Sequence, residues 1–589
     1  MTAGEAGAQA VWFGPEDRPL FGWVHTPAVS NGVGVVLCPS IGAEGENSQF
    51  AFRELAPALA ASGCIVVRFD YDGTGDSAGT LADPGRVDAW LGSIREAVAL
   101  AREAGAGTVD LVGIRLGAAL AAYAASDDGA IRSLTSWYPM RKGSHYVRYQ
   151  QGLRRLYPNY GALVEHDGLT EIPGFVLDRQ TTEDLRTIDA RSEELVLPAA
   201  TLVIDSAGPP AGELPEGTVW MKGTGESALF GYELTFATVA PEEVEAIVGF
   251  VMGQRGPDEV GPVHPAGRSS AVVGTVDGRP IVERPVTLGK GLFGILTEAG
   301  DPPPGSVDGT GRGRPRFAAA IFLNSGSIHH IGPSRQWVEM SRAWAPRGVR
   351  CLRLDLGGIG DSQVTGESSI LSSYPPSAID DVDAAMQFLA PGDPGAVVLV
   401  GLCSGAYHGL LAGSALHSGG VVAINPLRYP SLGEGDSELE GNSWEAFQLR
   451  RAEMAADAAP EAAAVRPRRG RLGELRDRGV FRPLTSRLPD WLWRMTHPGL
   501  WSEGRVEAVR RVVDRGVDVY LVCGTDEWQL VGRGNRKALR SLKRTGRFES
   551  VMVPSLDHSL HIAAGRDEVV AHVGGWELDG GVTGPTPHA

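Results

Sequence analysis

Residues 398–409 read VLVGLCSGAYHG, an apolar run that breaks at Gly401-Leu402-Cys403-Ser404-Gly405 and continues into small residues. The frame G-x-C-x-G lifts one nucleophilic side chain onto a sharp turn between a strand and a helix, with cysteine where serine is usual. A thiol near its free pKa of about 8.5 is mostly protonated at neutral pH, so attack by Cys403 requires a base that takes its proton. The helix N-terminus behind the turn favours the thiolate. Ser404 is the weaker nucleophile, because the residue after the centre of the turn contributes its amide and points elsewhere. Cys38, Cys64, Cys351 and Cys523 form no C-x-x-C pair and no metal-ligand spacing, so no metal or cofactor is expected.

The elements that must position Cys403 occur twice. Residues 63–78, GCIVVRFDYDGTGDSA, match residues 348–363, GVRCLRLDLGGIGDSQ; both end in Arg-x-[Phe/Leu]-Asp followed by a Gly-rich turn closing on Gly-Asp-Ser. Residues 109–125, VDLVGIRLGAALAAYAA, match residues 397–413, and GVGVVLCPSIG (32–42) pairs with FAAAIFLNSGS (317–327). Three blocks in one order at a nearly constant offset imply an internal duplication. Each copy alternates Val/Ile/Leu-rich runs with helical stretches such as FAFRELAPALAASG, which predicts an α/β domain with a mostly parallel sheet covered by helices. The expected division is a first domain over 1–252, a Gly/Pro-rich linker over 253–275, a second domain over 276–576 and a disordered tail over 577–589. Residues 301–316 read as a mobile loop.

A chain of 589 residues exceeds what one core organises, and 43% hydrophobic with 21% charged residues describes a soluble globular protein. The net charge of −17 argues against nucleic-acid and anionic-membrane partners. The N-terminal stretch lacks a basic region followed by an apolar one, and no apolar run approaches a membrane span. A reducing, cytoplasmic setting is expected.

Strand, sharp turn and small-residue helix resemble the α/β-hydrolase fold in both halves, over nearly their full length. The second half, with FLNSGSIHHIGPSRQWVEMSRAWAPRGVRCLRLDLGGIGDS, is similar to small bacterial hydrolases associated with exosortase and exopolysaccharide systems. Its cysteine elbow also resembles those of dienelactone hydrolases and polyhydroxyalkanoate synthases. The resemblance implies a nucleophile, acid, histidine order. Asp526, where the strand in DVYLVCGTDEWQL ends, is the expected acid, and His558 in SLDHSL the expected base, with His561 as its rival. The implied oxyanion donors are the amide of Ser404 and that of Ser325 or Gly326 after IFLN. His329 and His330 follow that turn and are candidates for positioning substrate, whereas Asp355 and Asp361 read as structural.

The first copy carries Gly113-Ile114-Arg115-Leu116-Gly117, and arginine, always protonated, cannot accept an acyl group. Asp205 matches the acid, no histidine occurs between residues 167 and 263, and Glu233 or a neighbour falls where His558 does, so a degenerate copy with an Arg115–acid salt bridge is expected. Residues 426–515 form a long insertion in the second copy, read as a lid. It holds an Arg-rich segment with Arg468, Arg469 and Arg471, followed by Trp491 and Trp493, which suggest an apolar acyl pocket with a basic rim. The expected activity is acyl transfer or thioester cleavage through an acyl-Cys403 intermediate on a thioester or ester substrate, with thioesters of coenzyme A or of an acyl carrier protein as candidate donors. A carboxylester or lactone hydrolase is the alternative within the class, and a non-catalytic scaffold the alternative outside it.

Overall fold

The computed structural model describes residues 7–156, 169–209, 214–230, 234, 237–254, 262–276, 278–301, 315–364, 369–430, 503–532 and 535–578. Among the described residues, ten strands precede residue 225: β1 Gly7–Phe13, β2 Leu20–Thr26, β3 Val33–Cys38, β4 Ile65–Phe69, β5 Thr108–Ile114, β6 Ile131–Trp137, β7 Thr170–Ile172, β8 Phe175–Leu177, β9 Ala200–Asp205 and β10 Thr218–Lys222. Nine follow: β11 Ala271–Val276, β12 Arg279–Leu288, β13 Leu292–Ala299, β14 Ala319–Phe322, β15 Arg350–Leu354, β16 Val397–Leu402, β17 Gly420–Ile424, β18 Asp518–Cys523 and β19 Phe548–Met552.

The first large sheet runs β1-β2-β4-β3-β5-β6-β9-β10 and the second β11-β12-β13-β15-β14-β16-β17-β18-β19. From β12 onward the second order repeats the first strand for strand. In each, the second strand of that order, β2 or β13, is antiparallel to both its neighbours, and the remaining pairs are parallel. Central strands such as VGVVLC and VVLVGL are buried along their whole length, as a sheet with helices on both faces requires. Each sheet has an apolar cluster on either face. This is the α/β class predicted, with two sheet-bearing units.

Some boundaries differ from expectation. Ala271–Val276 is the edge strand of the second sheet, pairing with β12 through a bulge, so the unit starts inside the stretch read as linker. The last helix, Ala563–Leu578, runs past 576. Of the expected lid, 503–515 belongs to the second unit and begins with the helix Glu503–Asp514. Its core, 431–502, with Arg468, Arg469, Arg471, Trp491 and Trp493, lies outside the described residues, as do most of 301–316 and the tail.

The repeated Arg-x-[Phe/Leu]-Asp…Gly-Asp-Ser motif packs the two units against each other reciprocally. Arg68 of the first pairs with Asp361 of the second at 2.8 Å, and Arg353 of the second pairs with Asp76 of the first. Each contact is the other's counterpart, the pattern of a two-fold interface fused into one chain. Within each motif the first Asp accepts the amide of the second, Asp70 from Asp76 and Asp355 from Asp361, which folds the Gly-rich turn back on itself. Arg335 adds bonds to the carbonyls of Gly75 and Ser77, both 2.7 Å. An apolar cluster of Trp12, Phe21, Phe293 and Ile295 closes the seam beside these charges.

His330 breaks the symmetry. Its Nε2 lies 2.7 Å from Asp76 Oδ2 across the seam and its Nδ1 2.8 Å from Asp355 Oδ2. Burial disfavours the imidazolium, but the two carboxylates outweigh it and raise its pKa to about 10. A raised pKa stabilises the fold fully below the unfolded value of about 6.5, and the contribution is lost as pH rises toward 10. The unfolding free energy from urea titrations should therefore fall between pH 7 and 10, by about a few kcal/mol at most. His330→Gln should be less stable at pH 7 and flatten that slope; an unchanged slope would show that His330 is neutral in the folded protein.

Candidate active site

Cys403 stands between β16 and the helix Ser404–Leu416, with φ 54° and ψ −109°, and its amide donates to Ile424 O at 3.0 Å. A non-glycine residue with positive φ costs on the order of 1–3 kcal/mol, strain held here by the surrounding turn. The turn is tight enough that a Cβ on Gly401 would sit 2.1 Å from the carbonyl carbon of Gly405. The thiol is nearly buried and packs with the cluster on one face of the sheet.

His558 follows β19 and meets Cys403 through a side-chain hydrogen bond. Its Nδ1 lies 2.9 Å from Glu527 Oε1, which leaves Nε2 for the sulfur. Burial lowers the imidazole pKa, but Cys403 and Glu527 together outweigh it and raise it to about 10. His558 is thus placed to hold the thiol's proton. The backbone of its rival, His561, is held by its neighbours: the amide donates to Asp557 and the carbonyl accepts from Gly174.

The carboxylate that meets His558 at the end of β18 is that of Glu527, next to the expected Asp526. A helix, Thr525–Val531, begins directly after Gly524 instead of a loop, and successive helical residues point about 100° apart. Glu527 therefore turns inward, 5% exposed, while Asp526 faces solvent. Asp and Glu are adjacent in GTDEWQL, so residue type alone did not separate them.

Asn425 escaped the sequence reading. It follows β17 with φ 44°, its Nδ2 donates to the carbonyls of Asp557 (3.0 Å) and His558 (3.3 Å), and its Oδ1 accepts from the Gly524 amide at 2.7 Å. One side chain thereby ties the acid's turn to the histidine's loop. Its position at a strand end was the available signal.

Of the oxyanion candidates, Gly326 donates its amide to Ser404 Oγ at 2.8 Å and is not open to a substrate oxygen. Ser404 acts through its hydroxyl as a staple between elbow and loop. Its own amide, in the first turn of the helix, has no intrahelical partner, and Ser325 is the remaining loop candidate. The histidine pair divides. His330 is 1% exposed and committed to the seam, so it is not a substrate contact. His329 lines a cleft between the two units, with Phe21, Trp23, Phe50, Ser327 and Leu371. Burial and the adjacent His330 charge lower its pKa to about 4, so it is neutral at neutral pH. That cleft begins two residues beyond Ser325 on the same loop.

In the first unit the same elbow backbone survives, φ 54° and ψ −124°, with Arg115 at its tip. Its guanidinium bonds Glu44 at 2.7 and 2.9 Å and Glu226 at 2.7 Å, and lies over Phe230. The partners are thus Glu44 and Glu226; Glu233 lies outside the described residues, and Asp205 pairs with Arg141.

Residues 320–572 match the profile of the Alpha/beta hydrolase family. The C-terminal half is an α/β-hydrolase domain. Solved structures similar to this chain include Est1E from Butyrivibrio proteoclasticus, 14% identical with a TM-score of 0.31, spanning 42% of this chain and 98% of that one. The thioesterase domain from the curacin biosynthetic pathway is 17% identical with a TM-score of 0.26, spanning 50% and 98%. XC6422 from Xanthomonas campestris, a serine hydrolase without lid, is 19% identical with a TM-score of 0.26, spanning 42% and 93%. No curated protein matches the chain. Among the described residues, no helix is long and apolar enough to cross a membrane.

Proposed function

We propose that the protein is an acyl-transfer enzyme, acyltransferase or thioesterase, working through an acyl-Cys403 intermediate. The observation that carries the reading is the elbow cysteine hydrogen-bonded to His558, which Glu527 holds from the other side. In the first step the Cys403 thiolate attacks the donor carbonyl carbon and a C–S bond to the enzyme forms. The carbonyl oxygen becomes an oxyanion, received by the amides of Ser404 and Ser325. Collapse breaks the bond to the leaving thiol or alcohol, which takes the proton held by His558. In the second step His558 removes a proton from water, an alcohol or an amine, whose attack on the thioester carbon frees Cys403.

Cysteine suits thioester donors, since exchange of one thioester for another is nearly isoenergetic. Arg468, Arg469 and Arg471 are assigned to the phosphates of coenzyme A or to an acidic carrier protein, and Trp491 and Trp493 to the acyl chain, on residue type alone. The first unit, by this reading, is a degenerate copy whose nucleophile became the Arg115–Glu44–Glu226 cluster. Five cysteines without a disulfide suit a reducing compartment such as the cytoplasm.

The test is intact mass after mixing with an acyl-N-acetylcysteamine thioester and with the matched ethyl ester. The thioester should load one acyl group at least about tenfold faster. No adduct from either donor would refute the acyl-enzyme reading, and equal loading would favour an ester or lactone hydrolase.

A further inference from the structure

The β7–β8 hairpin belongs to the first unit but packs against the loop that carries His558. Gly174 at its tip donates its amide to His561 O at 2.8 Å, and Gly174 O accepts from Arg566 Nη1. The approach is close: a Cβ on Gly174 would stand 2.3 Å from Ser334 Oγ, and Ser334 Oγ in turn donates to Leu560 O at 3.2 Å. Two residues before the tip pair, Glu171 Oε1 accepts the amide of Ala563 at 3.1 Å.

Ala563 is the first residue of the helix after the His558 loop, and the first amides of a helix have no partner within it. Such an end prefers an acidic cap. The cap comes here from the other unit, 392 residues away in the chain. Glu171 is itself held by Arg154, whose Nε lies 3.0 Å from the same oxygen, with both side chains nearly fully buried. On the near side, Asp557 gathers the amides of Ser559, His561 and Ile562. The loop from 557 to 563 is thus pinned at one end by its own unit and at the other by the hairpin.

We propose that Glu171 is a positioning residue for His558: the N-terminal unit sets the imidazole's place between Cys403 and Glu527 by capping the helix behind it. The inference rests on the acyl-cysteine reading for its catalytic meaning, but the placement itself can be tested apart from it. A small displacement of a base relative to its nucleophile is enough to cost up to a hundredfold in rate.

Removing Glu171 alone would leave Arg154 buried and unpaired, so the informative pair of variants also neutralises the arginine. R154M/E171Q keeps an oxygen for the Ala563 amide, and R154M/E171A does not. The readouts are the titration of the His558 imidazole by NMR and the pH profile of Cys403 alkylation by iodoacetamide. R154M/E171A should lower the His558 pKa by about one unit and slow alkylation at pH 7 about tenfold, while R154M/E171Q stays within about twofold of the native protein. If both variants titrate like the native protein, the proposal is overturned and the hairpin is only a docking contact. It is equally overturned if both shift alike, because the cap would then not be the cause. A shifted His558 titration in a protein whose Cys403 never acylates would refute the enzymatic reading and leave the positioning intact.

Discussion

Replacing Cys403 with alanine is expected to abolish the acyl adduct and to lower turnover of a thioester donor by at least about 10⁴-fold, while Ser404→Ala keeps the adduct. The two residues are adjacent, yet their surroundings differ. Cys403 sits at the strained tip of the elbow and shares a hydrogen bond with the His558 imidazole. Ser404 lies inside the helix start, 1% exposed, with its oxygen occupied by the Gly326 amide. Its loss leaves that amide without an acceptor, worth about 1–3 kcal/mol, and loosens the loop that carries Ser325. Ser404→Ala should therefore slow acylation by roughly tenfold through a poorer oxyanion site. Intact mass and stopped-flow loading rates separate the cases. An adduct that survives in Cys403→Ala and vanishes in Ser404→Ala would make serine the nucleophile.

How much of this was legible in the sequence follows from which contacts are local. The elbow could be read because a strand, a turn and a small-residue helix are consecutive, and its arginine counterpart was visible for the same reason. That the two copies share one strand order was implied by the repeat, but the order itself was not. His558 could be placed from its position after a strand. Glu527 could not be told from Asp526, because that choice depends on whether a helix begins at Thr525, a difference of one residue in a boundary. His330 read as a loop histidine because its partners, Asp76 and Asp355, are brought to it by packing of the two units. The reciprocal Arg–Asp pairs belong to the same class: the repeated motif was visible, but its use between copies needed three dimensions. Arg115 was expected to find an acid, and the acids it found, Glu44 and Glu226, come from the helix after β3 and from the turn after β10.

The choice of acid yields the second large effect. Glu527→Gln preserves shape but removes the charge that holds His558 protonated and fixes its tautomer, so turnover should fall by about 10³–10⁴-fold. Asp526→Asn, on the exposed side of the same helix turn, should remain within about twofold. The pH dependence follows from the direction of the His558 shift. With Glu527 present, burial is outweighed and the imidazolium persists up to about pH 10, so His558 can hold a proton taken from the Cys403 side of the site. Without Glu527 one of the interactions that raise the imidazole pKa is lost, and His558 becomes a poorer holder of the thiol's proton. Alkylation of Cys403 by iodoacetamide should then move its pH profile to higher values in Glu527→Gln and stay in place in Asp526→Asn. A shift in Asp526→Asn with none in Glu527→Gln would return the role to Asp526.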